Sequence, residues 1–343
     1  MNQVAEVVPS AARTYYERVI YWTNFDMVQR SVNRTISGDD RRDWIDHVRS
    51  DYGRCDAALS LNCGNGWVER ELFQKGAIRR VIGMDISQTL LAEARNEADR
   101  IAMPSVYESQ DVNRLDLSGH AFTWAINHAA LHHVAYIDHV VREVCRALPE
   151  DGLFLNYDYV GAHRNQYDGE TWQRVIELNA EAPKPFRIEV RYPHQRTMLH
   201  VDPTEAIHSE LIVSTLERYF DFVEVKPLGG ALLYSLLFGN TGLHAKAETA
   251  EAKDWLRHLM YEDARFTQQR LDRSLFAFIV ARPRKSALDD ERQLLSWTAE
   301  EHTREEKAKF NGGRYYAPTA FEILYEQIYA LQDQLKQIQN TKP

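Results

Sequence analysis

From about residue 57 onward, two kinds of apolar pattern alternate along the chain. Short apolar runs at Ala57–Leu61, Val81–Met84, Ser105–Tyr107, Phe122–Ile126 and Leu153–Tyr157 read as strands of a covered sheet. Between them, Val68–Gln74, Gln88–Arg100 and Tyr136–Leu148 carry the amphipathic spacing of helices with one buried face. Strands and helices in alternation, with room for a crossover at most steps, predict a parallel sheet with helices on both faces.

The flanks read differently. Residues 11–50 are expected to be helical, with Tyr15, Tyr16, Tyr21, Trp22, Phe25 and Trp44 spread along them. After Gly161 the alternation stops. Trp172–Glu181 reads as a helix, and Pro183, Pro185, Pro193 and Pro203 mark a loop-rich stretch. Pro203 is expected to open a helix over Thr204–Tyr219. Phe222–Val225 and Leu275–Ala281 are strand-like, with helical candidates Gly229–Phe238 and Thr249–Glu262 between them. These two strands would close the far edge and bring the sheet to seven. The expected organisation is a helical lid at 1–50, a core domain at 51–284 with insertions at 161–220 and 229–272, and a helical extension at 285–343. Within that extension Phe321, Leu324, Ile328, Leu331, Leu335 and Ile338 form a short heptad seam. The stretch 321–338 is therefore a surface for a second copy, a partner helix or the chain's own domain.

Composition narrows the function classes. With 343 residues and 44% apolar content, a large core is available. Forty-one Lys and Arg against 50 Asp and Glu leave a net charge of −9, and no segment concentrates basic residues. Nucleic acid is a poor partner for such a chain. Cys55, Cys63 and Cys145 form no CxxC pair, which fits a reducing compartment. The first ten residues carry no signal-peptide pattern. The longest apolar run, Gly229–Gly239, is too short for a membrane span. A cytoplasmic protein is the expectation.

The segment Leu59-Ser-Leu-Asn-Cys-Gly-Asn-Gly-Trp-Val-Glu69 follows the first strand and opens the first helix. Gly64 and Gly66 allow a sharp turn and close approach of a ligand to the backbone. The second strand ends at Asp85, 19 positions after Gly66, where a carboxylate can accept from both ribose hydroxyls. Asp111 follows the third strand, within reach of a nucleobase amino group, and Asn127 ends the fourth, near the expected reversal of strand order. Glu69 stands where a dinucleotide fingerprint has its third Gly, which disfavours NAD and FAD.

In these residues the chain resembles the class I S-adenosylmethionine-dependent methyltransferases over about residues 55–160. The resemblance implies a Rossmann-like, seven-stranded, mostly parallel sheet. It also implies S-adenosyl-L-methionine as cofactor and S-adenosyl-L-homocysteine as product. Cofactor contacts are implied at Asn62, Gly64, Gly66, Asp85, Ile86, Asp111, Val112 and Asn127. Looser phrases, Asp158–Tyr167, Asp202–Ser209 and Val225–Gly230, are similar to a bacterial subgroup associated with polysaccharide and glycolipid assembly. They imply a sugar-containing acceptor.

Methyl transfer from a sulfonium is mainly a matter of alignment, with a general base where the acceptor is a hydroxyl. Candidate groups lie at the ends of strands four and five: His128, His132 and His133 in the first place, Asp158, His163 and Arg164 in the second. His163, Asp158 and His133 are the expected catalytic residues. The grouping His200, Asp202 and His208 matches no common ligand spacing, so no metal is expected. The leading reading is O-methylation of a saccharide. N- or O-methylation of a small metabolite competes with it, and a non-catalytic scaffold of the same fold is the reading from another class.

Overall fold

The computed structural model describes residues 20–193, 198, 202, 204–290 and 331. Residues 1–19 of the expected lid, His200, and the heptad stretch 321–338 apart from the exposed, helical Leu331 lie outside them.

The chain enters through a 3-10 turn at Trp22–Asn24, then α1 (Asp26–Ser37) and α2 (Trp44–Asp51). Gly38 ends α1 in the left-handed conformation, and the Asp43 carboxylate caps α2 by accepting from the N–H groups of Ile45 and Asp46. Then come β1 (Cys55–Leu61), α3 (Trp67–Gln74), β2 (Ile78–Asp85), α4 (Gln88–Arg100), β3 (Ser105–Ser109), β4 (Trp124–His128), α5 (Ile137–Ala147) and β5 (Leu153–Tyr159). The C-terminal part holds α6 (Gly169–Glu181), α7 (Ile212–Tyr219), β6 (Phe220–Gly229), α8 (Leu233–Leu237), α9 (Thr241–His244), α10 (Ala250–Thr267) and β7 (Phe276–Pro283).

The seven strands run in the order β3-β2-β1-β4-β5-β7-β6. β1 to β5 are parallel, while β7 lies antiparallel between β5 and β6, so the last two strands close the edge as expected. This is the Rossmann-like sheet. Its order reverses between β1 and β4, and in sheets of this kind the reversal leaves a crevice at the carboxyl ends of the strands.

Two apolar layers bury the sheet. One face carries Leu72 of α3, Leu91 and Ala94 of α4, Val28 and Val32 of α1 and Leu256 of α10. Val140, Val141 and Val144 of α5 pack on the other with Leu216 and Tyr219 of α7. Trp22 stacks on Phe276 with ring centroids 4.9 Å apart, which fixes the entry of the chain against β7. Trp44 reaches over the sheet end to His128, Tyr157 and Phe278. The N-terminal segment is thus part of the wall above the crevice.

One expected helix is much shorter than its pattern. Thr204–Tyr219 becomes a turn, a 3-10 segment at Ser209–Leu211, and α7 only from Ile212. Ala206 is left-handed at φ +48°, and the Ile207 N–H donates to His132 O at 2.9 Å. Docking onto the loop after β4 wins over helix propensity here.

Candidate active site

The loop after β1 turns through three left-handed residues, Asn62, Gly64 and Gly66, at φ +43°, +56° and +73°. Gly66 is required twice over. Its φ disfavours other residues, and a Cβ there would meet the Tyr107 hydroxyl at 2.6 Å and Ala94 Cβ at 3.1 Å. Gly64 differs: a Cβ would meet nothing within 4 Å, so its Cα faces open space. Asn62 donates through Nδ2 to Ala130 O at 3.4 Å, bridging the loops after β1 and β4.

Asp85 ends β2 with its carboxylate fixed by backbone donors. Gly64 N–H donates to Oδ2 at 2.9 Å and Ser87 N–H to Oδ1 at 2.8 Å. Each oxygen has a further lone pair for a ligand hydroxyl. Beside it the Ile86 side chain is 63% exposed, a large apolar surface at the crevice mouth. After β3, Asp111 Oδ1 accepts from both the N–H and the Nδ2 of Asn113 at 3.0 Å. Asn113 Oδ1 in turn accepts from the N–H groups of Ala135 and Tyr136 at 2.9 Å, tying the β3 loop to the loop before α5. Val112 is buried beneath.

Asn127 is placed otherwise than expected. Its side chain is buried, donating to Asn156 Oδ1 at 2.6 Å and Asp158 Oδ2 at 2.8 Å and accepting from Leu131 N–H at 2.8 Å. It shapes the β4 loop from below. Glu69, in place of a third glycine, is also buried, with Ser60 Oγ donating to it. Burial pushes its carboxyl up to about 7, against the lowering effect of the Ser60 hydroxyl.

The sequence reading paired Asp158 with His163; the structure separates them. Asp158, fully enclosed, accepts from His132 Nδ1 at 2.6 Å, His132 N–H at 3.3 Å, Tyr159 N–H at 2.7 Å and Asn127. His163 lies in a 3-10 turn with its N–H donating to Glu210 and its ring 5.8 Å from that of His208. Left-handed Arg164 and Asn165 turn the chain away from the strand end.

Asp158 and His132 act on one another. Burial alone would lower the His132 imidazole, but the adjacent Asp158 carboxylate more than reverses this and raises it to about 9. Burial likewise opposes ionisation of Asp158, and the charged His132 more than compensates, holding its carboxyl low. His133, next along the same 3-10 turn, is lowered by burial and then by the His132 charge, whose ring lies 4.1 Å away. Burial lowers His128 to about 4, leaving it neutral. His128 forms a three-ring cluster with Trp44 at 5.7 Å and Tyr157 at 5.2 Å, with half-exposed Trp67 edge-on at 5.2 Å. One side of the crevice is therefore a glycine turn with a fixed carboxylate, and the other an aromatic wall and a histidine pair.

These residues fit an adenosyl group with a charged sulfur centre: the Asp85 carboxylate suits a ribose diol, Ile86 a base face, and the open side of Gly64 close approach to the main chain. His132 as the partner of Asp158, Trp67 as part of the wall, and Glu205 beside the histidines were not singled out by sequence. A Leu-His-His run directly after β4 was the available signal for the first. Trp67 and Glu205 carry none.

Residues 59–156 match the family profile described as a methyltransferase domain. A ubiquinone biosynthesis O-methyltransferase of Methylobacterium sp. (strain 4-46) is 29% identical over 97 residues, covering 28% of this chain and 38% of that protein. The chain thus aligns with well under half of the curated relative's length. Among solved structures, an S-adenosylmethionine-dependent methyltransferase from Mesorhizobium loti is similar at 22% identity, covering 67% of this chain and 91% of that one, with a TM-score of 0.39. A methyltransferase described in the same terms from Listeria monocytogenes is similar at 17% identity over 67% and 91%, with a TM-score of 0.39. Over residues 59–156 the chain is thus similar to methyltransferase domains.

Proposed function

We propose that this chain methylates a hydroxyl oxygen of an acceptor held between the Gly64–Gly66 turn and the histidine pair after β4. The observation that carries the reading is the placement of Asp85, fixed by Gly64 N–H at 2.9 Å, on one side of the strand-order reversal, with the Asp158–His132–His133 group on the other. When bound, S-adenosylmethionine supplies an electrophilic methyl group. The protein's residues do the rest.

Asp85 and Asp111 hold the nucleoside end, and half-exposed Trp67, backed by the packed rings of Trp44, His128 and Tyr157, offers an aromatic surface to the acceptor. Trp44 belongs to α2, so the N-terminal segment contributes to a lid that keeps water from the reacting atoms. Acceptor activation falls to His133, with the His132–Asp158 pair beside it and Asp158 as the positioning residue that sets the His132 ring. His163, held at Glu210 and His208, is left out of this role.

Oxygen as the methylated atom is supported by the histidine pair, which an amine acceptor would not need, and by the O-methyltransferase similar to this domain. A saccharide acceptor, in the cytoplasm, agrees with the aromatic wall and with three cysteines free of disulfides. Incubation of the full chain with isotopically labelled methyl donor and cell-surface saccharide extracts, read by mass spectrometry, tests it. A labelled methyl ether on a sugar is expected; labelled amines alone would overturn the oxygen assignment.

A further inference from the structure

Three donor atoms from two separate loops converge beside the aromatic wall. His132 Nε2 lies 3.9 Å, and His133 Nε2 3.8 Å, from the same oxygen, Glu205 Oε2. One potential ligand atom from each of His132, His133 and Glu205 lies within 4.8 Å of the other two. These separations are too long for hydrogen bonds.

The opposite ring nitrogens show which way the lone pairs point. Asp158 Oδ1, an acceptor, lies 2.6 Å from His132 Nδ1, so that nitrogen carries a proton. Thr204 Oγ1 donates its single hydrogen to Asp202 Oδ1 at 2.7 Å, and therefore accepts from His133 Nδ1 at 3.1 Å. His133 is protonated on Nδ1 as well. With Nδ1 of each ring so occupied, Nε2 is the nitrogen left to ligate, on the side of Glu205 Oε2, and an ion bound there takes the place of the Nε2 proton of His132. Oxygen acceptors behind ligating imidazoles, fixing tautomer and ring orientation, are the usual outer support of a metal site.

The backbone holds this arrangement. Ile207 N–H donates to His132 O, Arg164 N–H to Ala206 O at 2.7 Å, and Arg164 Nη1 to Glu205 O at 3.3 Å. Ala206 remains left-handed to keep Glu205 there.

We propose that His132, His133 and Glu205 bind one divalent transition-metal ion of the zinc, cobalt, iron or manganese class. Two imidazoles and one carboxylate suit those ions and are poor ligands for calcium or magnesium. Tetrahedral donors on such an ion sit about 3.3 Å apart, so small side-chain rotations close the site. The role of the ion rests on the function proposed above. Held by three protein donors, it keeps positions for an acceptor oxygen and lowers that oxygen's proton affinity. The O–H bond then breaks with the proton leaving to solvent. As the new C–O bond forms, the S–CH3 bond breaks and its electron pair stays on sulfur.

The test is an optical titration of the full chain, stripped with a chelator, with Co2+ alone as probe. S-adenosylhomocysteine binding is measured on every sample as an independent check of fold. Wild type is expected to take one equivalent and develop visible d–d absorption, which Zn2+ displaces. H133A and E205Q should each weaken binding by roughly tenfold or more, and D158N by about 10–100-fold, with S-adenosylhomocysteine binding retained. Absence of d–d bands in wild type that binds S-adenosylhomocysteine, or bands of equal affinity in H133A and E205Q, overturns the site. Cobalt binding lost in the variants of a chain that takes no S-adenosylhomocysteine would uphold the metal site and sink the methyltransferase reading.

Discussion

Asp85→Ala is the perturbation with the best-defined consequences. The wild-type carboxylate accepts from Gly64 N–H at 2.9 Å and Ser87 N–H at 2.8 Å, and it is 8% exposed. Removing it acts in two ways. Without bound nucleoside, two backbone donors lose their partner, and the cost is about 1–3 kcal/mol of folding stability, reduced where water can enter the new space. With bound nucleoside, the charge-assisted hydrogen bonds to the ribose are also lost, at about 1–3 kcal/mol. The second cost alone corresponds to a dissociation constant raised by about 5–150-fold. Calorimetric titration with S-adenosylhomocysteine measures the second effect, and thermal unfolding without ligand the first. Asp116, which caps an exposed turn at Ser118, is the control: Asp116→Ala should leave the affinity at its wild-type value. An Asp85→Ala protein that melts lower yet binds with unchanged affinity would mean that the carboxylate only braces the loop, and the reasoning would fail.

Other outcomes follow from the same geometry. Gly66→Ala forces a side chain into φ +73° and against the Tyr107 hydroxyl, and should lower the melting temperature and abolish detectable S-adenosylhomocysteine binding; normal melting and binding would contradict the packing described. His133→Ala should reduce kcat for a hydroxyl acceptor by about 10²–10⁴-fold, whereas His163→Ala should leave kcat near wild type; the reverse order in steady-state assays would restore His163 to the chemistry. Glu69 has a folded-state carboxyl raised from 4.5 to about 7, so the native state binds the extra proton. The stabilisation is complete below the unfolded value and is lost as pH rises to about 7, by up to about 3 kcal/mol. Glu69→Gln should flatten that part of the stability curve in denaturant titrations across pH 4–8, and an unchanged slope would remove Glu69 as its source.

The legible features were those written locally. Gly64, Gly66 and Asp85 each stand at a strand end with a conformation or charge that few residue types supply, and strand order then brings them together. The alternation of β1 to β5 with helices was readable because both periods are strong there. The acceptor side was less so. Asp158 meets His132 and not His163 because the loop after β4 supplies the donors around its carboxylate, while His163, past the end of β5, is held by Glu210. Glu205 reaches the histidines because Ile207 is tied to His132 O across two loops, a long-range contact that also cut short the helix expected from Thr204. Asn127 stands at the strand-order reversal, but its amide is turned inward to Asn156 and Asp158.

A crystal of the full chain soaked with S-adenosylhomocysteine would show whether Gly64, Gly66, Asp85 and Asp111 converge on one nucleoside. The ribose is expected within hydrogen-bonding distance of Asp85, the base against Ile86 and near Asp111, and the sulfur directed toward the His132–His133 side. Density for the ligand elsewhere, or a crevice filled by the chain's own side chains, would contradict that convergence.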